Sequence, residues 1–384
     1  MSVVIVGAGP AGLLLGNILL DNGVECLILE RHTREYVEGR ARAGLIEDRA
    51  VTSLTAYGLG DRLRVEGTPH TACEFRIAGR RFVAEYGSLA GGRSHYVYPQ
   101  QELVKDMVAG FLKKGGQIRF SAEVTGIDRI TDRPRVTIRG TETVQAEVVA
   151  GCDGFHGVSR RSVPDGAGTT YEYQHVHGWL AVLAAAPPST QNIIYGMHPD
   201  GFAGHMLRSK TVSRYYLQCP SGDSLANWPD DRIWSELRHR LATSDGWALR
   251  DGPVIEKNVL DMRSWVREPM RFGNLYLAGD AAHILTPVGA KGMNLALGDA
   301  QELALGLLDH YHRRDDRRLR AYSATRLAAV WRDQEFSTWM LNLIHGTGPS
   351  DQIGPFADRL RLHTVAEISG RSARARWFAE SYAG

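Results

Sequence analysis

Glycine turns beside carboxylates, a set of tyrosines and one arginine are the residues whose types and spacing could do chemistry. The turn Gly7-Ala8-Gly9-Pro10-Ala11-Gly12 follows a short β-branched run, Val3 to Val6, and opens an apolar helical stretch from Leu13 to Leu20. Gly7 permits a tight turn, Gly9 lets backbone approach a pyrophosphate, and Gly12 allows close packing of helix on strand. The helix start adds unpaired N–H groups and the positive end of a dipole. Glu30 closes the next apolar run, Cys26 to Leu29, where an acid can accept hydrogen bonds from ribose hydroxyls. The glycine spacing alone is weak. Set between strand, helix, strand and acid, it predicts dinucleotide binding, because a turn made only for helix packing leaves Glu30 unexplained.

Two later segments repeat the pattern of strand followed by glycine turn. Gly151-Cys152-Asp153-Gly154 follows Val148 to Ala150 and precedes a candidate helix. Gly279-Asp280-Ala281-Ala282-His283 follows Leu275 to Ala278 and leads through Pro287-Val288-Gly289-Ala290-Lys291-Gly292-Met293-Asn294 into a long helix expected from about Asn294. Each carboxylate and turn could by itself be a helix cap. In this order, the segments resemble those of the single-component flavoprotein aromatic hydroxylases. The resemblance implies that the dinucleotide is FAD. It also implies that Asp280 hydrogen-bonds the ribityl chain and that the backbone of Gly289, Lys291, Gly292, Met293 and Asn294 caps the isoalloxazine at a helix N-terminus.

The resemblance narrows to the para-hydroxybenzoate hydroxylase family. It is carried by Gly7–Gly16, Glu30–Gly44, Gly151–Ser162, Tyr195–Pro220, Gly279–Asn294 and Ala379–Tyr382, and it spans nearly the whole chain. By this resemblance Arg208 is the substrate-carboxylate arginine, a role that suits a guanidinium fork, and Tyr216 is a second carboxylate contact. Tyr195 meets the substrate phenol, Tyr382 is its partner, His70 ends a proton relay toward solvent, and Pro287 offers its carbonyl near the phenol oxygen. Such a relay helps ionise the phenol, and phenolate is the better ring nucleophile. Taken singly, a buried tyrosine more often satisfies a backbone group and a lone histidine is more often structural. Arg42 and Gln100 fall at FAD contacts. Arg31, His32, Tyr36, Arg42, His156 and Arg160 fall at positions that engage the nicotinamide nucleotide, in a pattern resembling NADPH users. His32 departs from that pattern and leaves NADH open.

One departure touches the substrate. Met206 stands where the family places a serine that hydrogen-bonds the carboxylate, and a thioether is no O–H donor. Losing that bond would weaken carboxylate binding by about 1.5–3 kcal/mol, with His205 beside it as the candidate compensation. The activity implied is hydroxylation of a 4-hydroxybenzoate-type acid ortho to its phenol, with FAD, NAD(P)H and O2. The simplest case is 4-hydroxybenzoate to 3,4-dihydroxybenzoate, and the alternative substrate is a substituted acid such as 3-amino-4-hydroxybenzoate. A flavin reductase and a non-catalytic flavin-binding protein are the rival classes.

These residues need a scaffold. At 384 residues the chain exceeds one ordinary core. The expected fold is α/β (α+β): a Rossmann-like FAD-binding domain from residues 1–70, 96–167 and 266–345, a mainly antiparallel substrate-binding sheet domain from 71–95 and 168–265, and a helical C-terminal region, 346–384. A net charge of +2 gives no bulk attraction to nucleic acid or membrane, and no apolar run reaches spanning length. No leader of basic and apolar residues precedes Val3. Cys26, Cys73, Cys152 and Cys219 form no CxxC pair, which argues against a zinc site or disulfide framework and fits a reducing cytoplasm. The arginines at 359, 361, 371, 374 and 376 read as a solvated helix face. Family resemblance implies a homodimer.

Overall fold

A computed structural model describes residues 1–40, 44–345 and 354–384. Arg42 lies outside the described residues. The chain forms two compact units, Met1–Gly67 with Tyr98–Tyr173 and Ser264–Gln334, and Thr68–Val97 with Gln174–Arg263 and Glu335–Gly384.

The first unit is built on a six-stranded sheet in the order Arg271–Phe272, Leu275–Leu277, Val148–Gly151, Val3–Val6, Cys26–Leu29 and Gln117–Arg119. All neighbours are parallel except the first pair. Val3–Val6 and Cys26–Leu29 are fully buried runs, the signature of parallel strands covered on both faces. The chain leaves Val3–Val6 toward Cys26–Leu29 on one side, and Val148–Gly151 pairs on the other. The order therefore reverses at the first strand, where doubly wound sheets open a crevice at their carboxyl ends. Helices Pro10–Asp21, Gln100–Lys113 and Lys291–Arg313 belong to this unit. The last starts at Lys291, a turn earlier than expected, because Gly289 and Ala290 both take positive φ (78° and 55°) and redirect the chain into it. The helix expected after Gly154 is only a 3-10 turn, Ser159–Ser162.

The second unit carries a sheet in which the long strand Thr169–Ala184, from Gln174 onward, is followed in space by Ser213–Pro220, Gly201–Leu207, Ile193–His198, Cys73–Ile77 and Arg80–Ala84. Its pairs are antiparallel except Ile193–His198 with Cys73–Ile77. Alternation along the strands splits the side chains between faces. One face buries Val182, Ile194, Ala203, Tyr215 and Leu217 with Ile233, Trp234 and Leu237 of helix Asp230–Arg240. Helices Gly354–Ile368 and Ala373–Ala383 close the chain. Arg361 is not on a solvated face: it is buried, and it donates to the carbonyls of Leu343 at 2.9 Å and Ile344 at 3.1 Å.

Candidate active site

In the first unit the site is made mostly of backbone. Gly7 takes φ +104°, and a Cβ there would sit 2.4 Å from the Cys152 carbonyl oxygen. A Cβ on Gly12 would sit 2.1 Å from the Gly7 carbonyl oxygen. Those two glycines are therefore consumed by packing. Gly9, the cap of helix Pro10–Asp21, is different: a Cβ on it would meet nothing within 4 Å. Gly292, at the start of helix Lys291–Arg313, is open in the same way. The first N–H groups of both helices have no partner within their own helix, and open space lies beside Gly9 and Gly292, a cradle for an anionic, extended cofactor. The donor set and the open space fit FAD.

The carboxylates beside this cradle divide into holders and presenters. Glu30 is buried, and it accepts from the Ala8 N–H at 2.8 Å and the His32 N–H at 2.9 Å, tying the glycine turn to the strand end. Asp153 turns inward, accepts from the Ser159 N–H at 2.9 Å, and burial raises its carboxyl above the usual range. Asp280 is exposed on the turn Gly279–Ala281. Lys291 and Asn294 act as fasteners. The Lys291 ammonium donates to Glu47 at 2.6 Å, while Asn294 accepts from the Glu47 N–H at 3.0 Å and donates to the Leu45 and Ala290 carbonyls. Their side chains anchor the strand Leu45–Glu47 to the helix start. Met293 is half-buried on the helix's first turn, and Gln100 opens its own helix after Pro99. Pro287 is exposed, and its carbonyl accepts from the Ala290 N–H at 3.1 Å, which leaves one lone-pair direction for another donor.

The residues assigned to the nicotinamide nucleotide form two surface groups of the first unit. Arg31 donates to His32 at 3.0 Å, and His32 stacks on Tyr36 with centroids 4.1 Å apart. Thr33 caps the short helix between them. His156 is exposed, and the Arg160 guanidinium lies over Phe155 (4.1 Å) and Trp265 (5.0 Å).

In the second unit the site is made of side chains. Tyr195, Gly204, Tyr216 and Ala181 are successive partners across four strands, so they share one sheet face. Met206 and Arg214 are paired one step along the same face. The Tyr195 and Tyr382 hydroxyls are 2.8 Å apart and fully buried, and burial raises both phenols, so each stays protonated at neutral pH. Phe75 stacks on Tyr195, and Phe378 stacks on Tyr382. The Tyr382 ring also packs against Tyr86 and His95, each 4.9 Å away. The Tyr86 hydroxyl donates to the His70 carbonyl at 2.6 Å, and His95 Nδ1 is 3.3 Å from that hydroxyl. Burial lowers the His70 imidazole below its ordinary value, and its Nε2 is enclosed with no protein partner.

Arg208 follows the strand Gly201–Leu207 and is half-buried. Burial first, then the neighbouring Arg214 guanidinium, pushes it down to about 10, so it remains a cation at neutral pH. Tyr216 is buried with Trp179 4.9 Å from its ring. His205 does not join Met206 and Arg208. It faces the opposite side of the sheet, packs on Tyr215, accepts from the Ser189 N–H at 3.3 Å, and burial pushes it down to about 4. Tyr86, His95 and Arg214 are site neighbours that the sequence did not single out. Arg214 could have been found by counting register across the hairpin; Tyr86 and His95 carry no sequence signal. Among the described residues, His198, Asp200 and His239 could approach a common cation, but His239 Nε2 already lies 2.8 Å from an Asp200 carboxylate oxygen at the surface.

The family described as "FAD binding domain" matches residues 1–337. The chain is 38% identical over 385 aligned residues to "p-hydroxybenzoate hydroxylase" of Acinetobacter baylyi (strain ATCC 33305 / BD413 / ADP1), covering 100% of this chain and 95% of that protein. The chain belongs to the p-hydroxybenzoate hydroxylase family. It is an FAD-dependent aromatic monooxygenase. Among solved structures, the p-nitrophenol 4-monooxygenase PnpA from Pseudomonas putida DLL-E4 shares the fold of this family member with a TM-score of 0.81 at 21% identity, covering 100% of this chain and 98% of the other. The Diels-Alderase PyrE3 shares it at 0.75 and 21%, covering 100% and 80%. The fold therefore hosts more than one chemistry, and membership of the hydroxylase family rests on the full-length identity. No helix among the described residues is long and apolar enough to cross a membrane.

Proposed function

We propose that the protein hydroxylates 4-hydroxybenzoate ortho to its phenol, giving 3,4-dihydroxybenzoate, with NADPH as reductant. The observation that carries this reading is the buried Tyr195–Tyr382 hydroxyl pair, 2.8 Å apart, on a sheet face that also bears Tyr216, Met206 and Arg214, with Arg208 at its edge. One end of such a face suits a carboxylate and the other a phenol. Arg208 and Tyr216 hold the carboxylate. Tyr195 accepts the phenol proton while passing its own to Tyr382. Because burial keeps both tyrosines protonated, the proton moves by reorientation of hydroxyls rather than through a stored tyrosinate. His70 takes the proton at the far end, and Tyr86 and His95 position the Tyr382 ring.

Gly9, Glu30, Gln100, Asp280 and the backbone from Gly289 to Asn294 hold FAD, on a turn that Gly7 and Gly12 shape by packing, with Arg42 a further contact. FAD, when bound and reduced, supplies the activation of O2 and the transfer of one oxygen atom to the ring. Arg31, His32, Tyr36, His156 and Arg160 receive the nicotinamide nucleotide, Pro287 borders the phenol oxygen, and the working form is a cytoplasmic homodimer.

Met206 favours a second reading of the substrate. It stands opposite Arg214 and offers no hydroxyl to a carboxylate, so a substituted ring such as 3-amino-4-hydroxybenzoate is the competing acid. Steady-state NADPH oxidation and product yield across a panel of hydroxybenzoates test both. The primary reading predicts the highest coupled turnover with 4-hydroxybenzoate. Faster coupled turnover of the amino acid selects the second, and no stimulation by any hydroxybenzoate removes both.

A further inference from the structure

One buried carboxylate holds both ends of the turn that carries Asp280. Asp299 lies two turns into helix Lys291–Arg313 with no exposure. Its Oδ2 accepts from the Gly279 N–H at 2.9 Å and lies 2.6 Å from His283 Nε2. Its Oδ1 accepts from Arg326 Nε at 2.7 Å, and the same guanidinium donates to the Leu295 carbonyl at 3.3 Å, in Asp299's own helix. Since Asp299 accepts, Nε2 of His283 carries the proton, and its enclosed Nδ1 has no protein partner. Arg326 is pressed on Gly298, where a Cβ would sit 2.9 Å from Nη2. Gly279 takes φ +61°, and a Cβ there would come within 3.1 Å of Ala296 Cβ, so the turn is seated against the helix.

Burying an ion pair is weak as a source of stability, because desolvation offsets the attraction. A packed apolar side chain could fill this position equally well. What it could not do is hold an N–H just before Asp280 and an imidazole three residues after it. Asp280 sits exposed between those two points. We propose that Asp299 is a positioning residue for FAD, clamping Gly279 and His283 so that the Asp280 carboxylate is presented before the cofactor arrives, with Arg326 supplying the buried counter-charge. The clamp rests on the reading of Asp280 as an FAD contact. Ordering the turn in advance removes part of the entropy that binding would otherwise cost.

Titration of apoprotein with FAD, followed by quenching of flavin fluorescence, tests this in wild type, Asp280→Ala, Asp299→Asn and the double variant, with thermal melts of each apoprotein alongside. Asp299→Asn should raise the FAD Kd at least tenfold, and the double variant should bind within about threefold of Asp280→Ala alone, because both changes break one contact. A Kd within twofold of wild type for Asp299→Asn, whatever its melting temperature, overturns the proposal, and so do effects that multiply in the double variant. Should Asp299→Asn fail to fold, His283→Gln and His283→Leu replace it: the glutamine amide can still donate to Asp299 and should bind FAD nearly as wild type, and the leucine should not. Equal behaviour of the two overturns the clamp. An unchanged Kd for Asp280→Ala removes the underlying reading of Asp280, and that result is separable from a failure of Asp299 alone.

Discussion

The two units build their candidate sites from different material. The first offers backbone: glycines at helix starts, open to 4 Å at Gly9 and Gly292, with carboxylates that hold the turns in place. The second offers side chains: tyrosines and arginines on one face of a sheet, met by Tyr382 from helix Ala373–Ala383. Backbone recognition demands short local patterns, because only neighbouring residues can shape a turn. Side-chain recognition draws on tertiary structure: strand pairing puts Tyr195 and Tyr216 on one face, and a helix brings Tyr382 to it. The first unit should therefore be sensitive to added volume, and the second to lost hydroxyls and charges.

The largest expected effect breaks the second unit alone. Tyr195→Phe, or Tyr382→Phe, should lower the rate of ring hydroxylation by about 10²-fold, the scale of a lost proton-transfer contribution. FAD affinity and anaerobic reduction by NADPH should stay near wild type. Because the two hydroxyls form one relay, the double variant should be little worse than either single one. Stopped-flow separation of reduction from hydroxylation checks this, and equal slowing of both steps would argue against a relay. Next in size, Arg208→Ala should raise the KM for the aromatic acid about 10- to 100-fold, matching about 1.5–3 kcal/mol for a hydrogen bond to a charged group. An unchanged KM would remove Arg208 from substrate binding.

A third test uses the buried histidines of the second unit. Burial pushes His205 down to about 4 and His345, which accepts from the Trp179 indole at 2.6 Å, down to about 3. In the unfolded chain each titrates near about 6.5. Between about pH 6.5 and pH 4 the unfolded state therefore binds more protons, and stability falls as pH falls through that window. Each histidine contributes up to about 2 kcal/mol of that loss by pH 5. His205→Gln, which can still accept from the Ser189 N–H, should flatten the fall of melting temperature from pH 6.5 to 5; an unaltered slope would show that His205 is not neutral in the folded chain.

The smallest effect separates the glycines of the first unit. Gly9→Ala should leave the apoprotein's melting temperature within a degree or two and weaken FAD about tenfold, since the added methyl enters open space meant for the cofactor. Gly7→Ala should instead lower the melting temperature, because the methyl meets the Cys152 carbonyl. Differential scanning calorimetry with and without FAD distinguishes them, and identical behaviour would dissolve the contrast between open and packed glycines.

The same contrast sets what was legible in the sequence. Gly7, Gly9, Gly12, Glu30 and Asp280 stand in short runs whose spacing reflects a turn, so their place in the first unit could be read directly. The buried strands Val3–Val6 and Cys26–Leu29 were legible from their unbroken apolar character. In the second unit, legibility stopped at adjacency. His205 and Met206 are neighbours in sequence, yet a strand sends them to opposite faces, and His205 goes into the apolar layer under the sheet. Tyr86, His95 and Arg214 reach the site only through packing and strand register, and no local pattern marks them. Arg361 looked like one of a charged series, but it satisfies two carbonyls at the end of the preceding helix, a need set by tertiary structure. Asp299 was hidden for the same reason: its partners at Gly279, His283 and Arg326 come from three separate elements.

The proposed function is the insertion of oxygen into a 4-hydroxybenzoate ring. Its most direct test is turnover of 4-hydroxybenzoate with NADPH under ¹⁸O2, with mass spectrometry of the product. The expected product is 3,4-dihydroxybenzoate carrying one ¹⁸O atom at the new hydroxyl. NADPH oxidation with no hydroxylated product, or a product whose new oxygen comes from water, would contradict it.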